Sequence, residues 1–108
     1  MKPKKLRINK NLNLVFSVIN SDKRITTTDI ALIYALIIYY VKGRSGDYFQ
    51  VSRRGLMEIS KISSTRTYHK SINNLINFGY IKYVPSYHPK LGSKVSLLMV
   101  LSKGAHLE

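Results

Sequence analysis

The sequence predicts an α+β fold in which a three-helix core precedes a C-terminal β-hairpin. Three observations carry that expectation. The apolar run Ile30 to Val41 has the length of a helix and starts behind Thr27, Thr28 and Asp29. Two later stretches place apolar residues three and four apart, each behind a serine that can cap a helix. Residues 80–84 and 94–101 have strand composition, and the loop between them holds Pro85, Pro89 and Gly92.

In chain order, residues 1–11 are basic and Asn-rich and read as a mobile arm. The domain proper is expected over 12–106. Leu12 to Ile19 is apolar and partly β-branched, and reads as a strand or as an extended segment lying on the core. The first helix then starts near Thr27 or Thr28, with either as N-cap, and ends before Gly43. It is apolar nearly all round, so it must be covered on most sides. Two coverings stay open: residues 12–19 with the hairpin strands, or a second copy of the chain. Tyr48 to Val51 reads as a short strand.

Ser52 caps a second helix over 53–60, whose Leu56 and Ile59, followed by Ile62, point inward. Gly55 inside it costs about 1 kcal/mol against alanine. Ser63 or Ser64 caps a third helix with the apolar stripe Tyr68, Ile72, Leu75 and Ile76, and Gly79 ends it. In the returning strand Val95, Leu97, Met99 and Leu101 share a face. Leu107 and Glu108 read as an expression-tag scar outside the fold.

Charge is the strongest global signal. Eighteen Lys and Arg stand against five Asp and Glu in 108 residues, a formal +13. Between Glu58 and Glu108 no acid occurs, while Lys61, Arg66, Lys70, Lys82, Lys90, Lys94 and Lys103 do. A basic, acid-free half-chain expects a polyanion. Cysteine is absent, which excludes disulfides and thiolate metal sites and is compatible with a reducing cytoplasm. The apolar run at 30–41 is short of the roughly 20 residues a membrane span needs. His69, His88 and His106 are scattered, no carboxylate pair is evident, and no glycine-rich phosphate loop or nucleophile elbow occurs. The expectation is a non-enzyme without cofactor or metal.

The order of elements makes the second and third helices a helix-turn-helix and the hairpin its wing. A link of a few residues near 61–63 forces a sharp crossing and frees the outer face of the third helix. That face carries Arg66, His69, Lys70, Asn73 and Asn77, all donors and none acidic, with Ser64 and Thr65 at its leading end. Arginine suits guanine edges and asparagine suits adenine, while Lys70 suits phosphate. Arg53 and Arg54 open the second helix, where backbone N–H groups, the helix dipole and two guanidiniums can hold one phosphate. Tyr87, His88, Lys90 and Lys94 surround the wing loop and suit phosphate or the minor groove. The alternative for each is an ordinary solvated surface. Eight tyrosines raise the option of stacking on single-stranded bases, but most sit at core-like positions.

The stretch from Ser64 to Ile81 resembles the recognition helix and first wing strand of bacterial winged helix-turn-helix domains. In that pattern a serine opens the helix, then come a threonine with a large apolar residue, a basic residue, an apolar-x-x-Leu core and a Gly-x-Ile exit. Thr67, Tyr68, Lys70, Ile72, Leu75, Gly79 and Ile81 fill those places, and Leu56, Ile59 and Ile62 match the preceding helix. Tyr68 departs from the commoner aliphatic, and Met57-Glu58 stands where Ala-Glu is usual. Such domains occur in plasmid replication initiators and in small regulators of mobile elements. The resemblance implies a cytoplasmic, sequence-specific binder of double-stranded DNA acting in transcription. The alternatives are a replication or mobile-element accessory protein, a winged-helix module for an acidic protein, and a binder of RNA or single strands.

Overall fold

A computed structural model of the chain describes residues 10–43, 48–86 and 92–98. Its first element corrects two expectations. Residues 12–19 are neither strand nor extended segment but the body of helix α1 (Lys10–Ser21), which also takes in the last two residues assigned to the basic arm. Leu14 and Val18, and likewise Val15 and Ile19, are one helical turn apart in sequence, and that spacing outweighs the β-branching of the two valines and Ile19. The described residues therefore hold four helices rather than three.

Helix α2 (Thr27–Gly43) is the element around which the others assemble. Its cap is neither Thr27 nor Thr28 but Thr26. The Thr26 hydroxyl oxygen accepts from the Asp29 N–H at 3.2 Å, and the Asp29 carboxylate accepts from the Thr26 N–H at 3.1 Å. This reciprocal pair satisfies two backbone donors at once, which is why it prevails over its neighbouring threonines. Leu32, Ile33, Ala35 and Leu36 are buried against α3, α4 and β1. Among the described side chains the expected covering is incomplete: Ile30, Tyr34 and Val41 stay exposed, while Ile19 of α1 is buried in the core.

The strands β1 (Phe49–Val51), β2 (Ile81–Val84) and β3 (Ser93–Leu97) form an antiparallel sheet in the order β1-β3-β2. Phe49 and Tyr83 both lie opposite Val95, and Ile81 lies opposite Leu97. Phe49, Val51, Ile81, Val95 and Leu97 turn inward, and the Phe49 ring meets Tyr40 of α2 edge-on at 5.9 Å. Met99 and Leu101 lie outside the described residues.

Helices α3 (Arg53–Ser60) and α4 (Thr65–Asn77) follow β1. The buried stripe of α4 is Tyr68, Ser71, Ile72 and Leu75. Ile76, expected inside, is 37% exposed, because Ser71 takes the inward position and turns the stripe away from it. Gly79 adopts φ +84, the Gly79 N–H donates to the Ile76 carbonyl, and the Tyr80 N–H donates to the Leu75 carbonyl. That double closure ends α4 and sends the chain directly into β2. Among the described residues no helix is long and apolar enough to cross a membrane.

Candidate nucleic-acid interface

The cationic surface is built on α3, the turn after it, and α4. Ser52 caps α3, its side-chain oxygen accepting from the Gly55 N–H at 3.0 Å. The next two residues, Arg53 and Arg54, are exposed on the first turn, beside the positive end of the helix. At the other end Lys61 holds φ 66, a left-handed conformation that turns the chain within one residue. The Lys61 and Ile62 N–H groups both donate to the Met57 carbonyl. Ile62 then plugs the core, and Ser64 caps α4 by accepting from the Thr67 N–H at 3.2 Å. The close succession of caps leaves α4 no freedom to align along α3.

The structure brings several of the expected residues together. Arg53, Arg54, Met57, Glu58, Ile62 and Thr65 line an open cleft of about 510 Å³ that joins the starts of α3 and α4. Arg66, His69, Lys70 and Asn73 are exposed on the face of α4 away from its buried stripe. The His69 ring leans edge-on against Tyr68, with centroids 5.2 Å apart. Thr65 is exposed and Ser64 is engaged as the cap, so the Ser64 hydroxyl has its own hydrogen left to donate outward. Lys94 is exposed on the central strand, opposite Gln50 and Val84. Tyr87, His88 and Lys90 lie outside the described residues.

Sequence reasoning missed Lys82. The register pairs Lys82 with Ser96 and Val84 with Lys94, so the alternation of β3 puts Lys82 and Lys94 on one face of the sheet. The signal was present as a basic residue at the right parity, but only the pairing register shows that the two share a face.

Two networks hold α4 in place, and both consume acids. Asp29 is fully buried, and its two carboxylate oxygens accept from the Asn74 amide at 3.3 Å each. This clamps the second half of α4 to the start of α2. Asp22, in the α1–α2 connection, accepts from the Tyr80 hydroxyl at 2.7 Å and from Arg24 at 2.9 and 2.7 Å. The Arg24 guanidinium also lies 4.2 Å from the centre of the Phe78 ring. The Arg24 hydrogen bonds, then that of Tyr80, hold the Asp22 carboxyl far below the usual carboxylate range. Burial, then the bond to Asp22, pushes the Tyr80 hydroxyl up to about 12. Tyr68 is also pushed up to about 12, mainly by burial.

The consequence for the surface is electrostatic. Of the three acids among the described residues, Asp29 is buried, Asp22 is paired, and Glu58 is exposed. Among the described residues, the outward field of the α3–α4 region is therefore set by its cations, with Glu58 the carboxylate at the cleft. Such a surface can donate many hydrogen bonds to an anion and can accept few. Comparison of the chain with protein-family models, with curated proteins and with solved structures finds no match.

Proposed function

We propose that this chain is a winged helix-turn-helix domain that binds double-stranded DNA in a sequence-specific manner, as a regulator of transcription. The observation that carries the reading is the exposed face of α4. It presents Arg66, His69, Lys70 and Asn73 without an acid, opposite a stripe that fixes the helix to the core. In this reading α4 enters the major groove with its leading end, and Arg66 and Asn73 meet base edges. Arg53 and Arg54 take phosphate at the start of α3. The hairpin β2–β3 is the wing, and Lys82 and Lys94 are its described cations for the flanking backbone. An acidic protein is the weaker partner, because Asn73 and His69 add little attraction for carboxylates while both suit base edges.

Fluorescence anisotropy with a labelled duplex across a salt series tests this. Affinity should fall linearly on a log–log plot, with a slope of about −0.9 for each phosphate neutralised. The double change Arg53→Ala with Arg54→Ala should make the slope shallower. Affinity that is flat between low and moderate salt, or no duplex binding beside tight binding to an acidic protein, would reject the proposal.

A further inference from the structure

Two tyrosines are buried among the described residues, Tyr68 and Tyr80, and they differ in one respect. The Tyr80 hydroxyl donates to Asp22 at 2.7 Å. Tyr68 is only 2% exposed, yet among the described residues its hydroxyl has no hydrogen-bond partner. A buried polar group without a bond costs free energy and calls for an explanation. Among the described residues no side-chain oxygen or nitrogen is both sealed from solvent and unbonded. The Tyr68 ring is therefore buried while its hydroxyl oxygen just reaches solvent, with a hydrogen free to donate.

The neighbours of that hydroxyl locate the opening. The groups that act on it electrostatically are Tyr83, Arg53 and Tyr39. They belong to β2, to the first turn of α3 and to α2. The Tyr83 hydroxyl is engaged, donating to Ser93 at 3.0 Å. Tyr39 is not: its hydroxyl oxygen occupies the space that a Cβ on Gly55 would fill, beside the Ser52 Oγ. Glycine at 55 thus lets a phenol rest on the first turn of α3. In that turn the Gly55 N–H donates to the Ser52 Oγ and the Leu56 N–H to the Ser52 carbonyl. The Arg53 and Arg54 N–H groups are the ones the helix leaves over.

The groups that converge here are donors, and no carboxylate is among those acting on the Tyr68 hydroxyl. Burial keeps that phenol protonated, so it donates at neutral pH. Arg53 and the positive end of α3 add charge. Donors arriving from α2, α3 and α4 come from three directions, which suits a tetrahedral oxyanion better than a planar carboxylate. We infer that the Tyr39 and Tyr68 hydroxyls, with Arg53 and the first turn of α3, form a pocket for one phosphate group. The phosphate supplies the acceptor that the buried phenol lacks. The pocket extends inward the phosphate contact already assigned to the start of α3. It rests on the duplex-binding reading only for its source of phosphate, the DNA backbone, the other source being a free phosphate group. Through Tyr68 the bound phosphate touches α4 itself, so one contact ties the backbone to the register of that helix.

Tyr39→Phe and Tyr68→Phe each remove one hydroxyl and keep the ring. Neither hydroxyl holds a hydrogen bond in the free chain, so thermal melts of both variants should match or exceed the wild type. Inorganic phosphate is titrated into the full chain at constant ionic strength, balanced with chloride, while NMR follows the Arg53 and Arg54 amides. The wild type should show a saturable shift at both amides, and each variant should bind phosphate about tenfold more weakly. Duplex binding by anisotropy then identifies the source. An equal loss on selected and random duplexes supports a backbone phosphate, since such contacts carry no sequence information. Weaker phosphate binding with unchanged duplex binding supports a free phosphate group. Phosphate binding by a chain that binds no duplex supports the pocket and rejects the DNA reading. A wild type that binds neither phosphate nor duplex overturns the inference. So do variants that hold both as tightly as the wild type, or a loss of affinity that only follows a lowered melting temperature.

Discussion

The outer faces of α4 and α2 are both exposed helix surfaces on one small chain, yet they are opposites. On α4, Arg66, His69, Lys70 and Asn73 follow at spacings of three, one and three and offer donors throughout. On α2, Ile30, Tyr34 and Val41 offer almost none. The helices also differ in how they are held. Helix α4 is capped by Ser64, closed by Gly79, and clamped through Asn74 to a buried carboxylate. Helix α1, in which apolar residues alternate with Asn and Ser, has Ile19 in the core among its described side chains. A donor face must be presented at a fixed angle to be read, and the structure fixes it. An apolar face carries no such requirement of angle.

The largest effect that would sharpen this comparison lies beneath both surfaces. Leu75 is fully buried on the inward stripe of α4. Leu75→Ala should cost about 2–5 kcal/mol by chemical denaturation, because the surrounding helices and sheet cannot close the cavity. The exposed Ile76→Ala should cost far less. Equal losses at the two positions would mean that α4 is rotated from the orientation described.

A smaller effect tests the clamp. Asn74→Ala leaves the buried Asp29 carboxylate without its side-chain donor, at a cost of about 1–3 kcal/mol. The change touches neither exposed face. Any loss of DNA affinity beyond that of the unfolded fraction would then report the angle of α4 and not a missing contact. Unchanged stability would show that the clamp is not formed in solution.

The smallest effect is a pH dependence. The Asp22 carboxyl titrates below its ordinary value near 3.8 in the folded chain, chiefly through Arg24. A depressed folded value contributes stability that is present above the unfolded value and lost as pH falls below it. Thermal melts of wild type and Asp22→Asn should therefore differ at pH 7 and converge as pH drops below about 4. A constant difference across that window would mean that Asp22 stabilises the fold by something other than its charge.

Much of the cationic surface was legible in the sequence because its determinants are local. Ser52, Ser64 and Gly79 act within one turn of their own positions, so the start of α3 and both ends of α4 could be read. The features that escaped depend on distant partners. Thr26 prevails as the cap through Asp29, and the same carboxylate is tied to Asn74, 45 residues away in sequence. Tyr80 reaches Asp22 across 58 residues. Gly55 read only as a cost to α3, whereas a Cβ there would run into the Tyr39 hydroxyl oxygen. The exchange of Ser71 for Ile76 on the inward stripe was invisible because both fit a helical period. Helix α1 was missed for a related reason: β-branched residues spaced for a helix read as a strand when nothing nearby shows what they pack against.

The central claim is that α4 reads sequence while the flanking cations only hold the backbone, and one paired titration tests it most directly. Arg66→Ala and Lys94→Ala are each titrated on a duplex selected from a random pool and on a random duplex. Both side chains are exposed, so both variants should remain folded. Arg66→Ala should lose roughly 1–3 kcal/mol on the selected duplex and much less on the random one. Lys94→Ala should weaken both duplexes by a similar factor and make the salt slope shallower. If the two variants lose affinity on both duplexes by the same factor, α4 is not the reader, and the chain holds DNA by its backbone alone or by another surface.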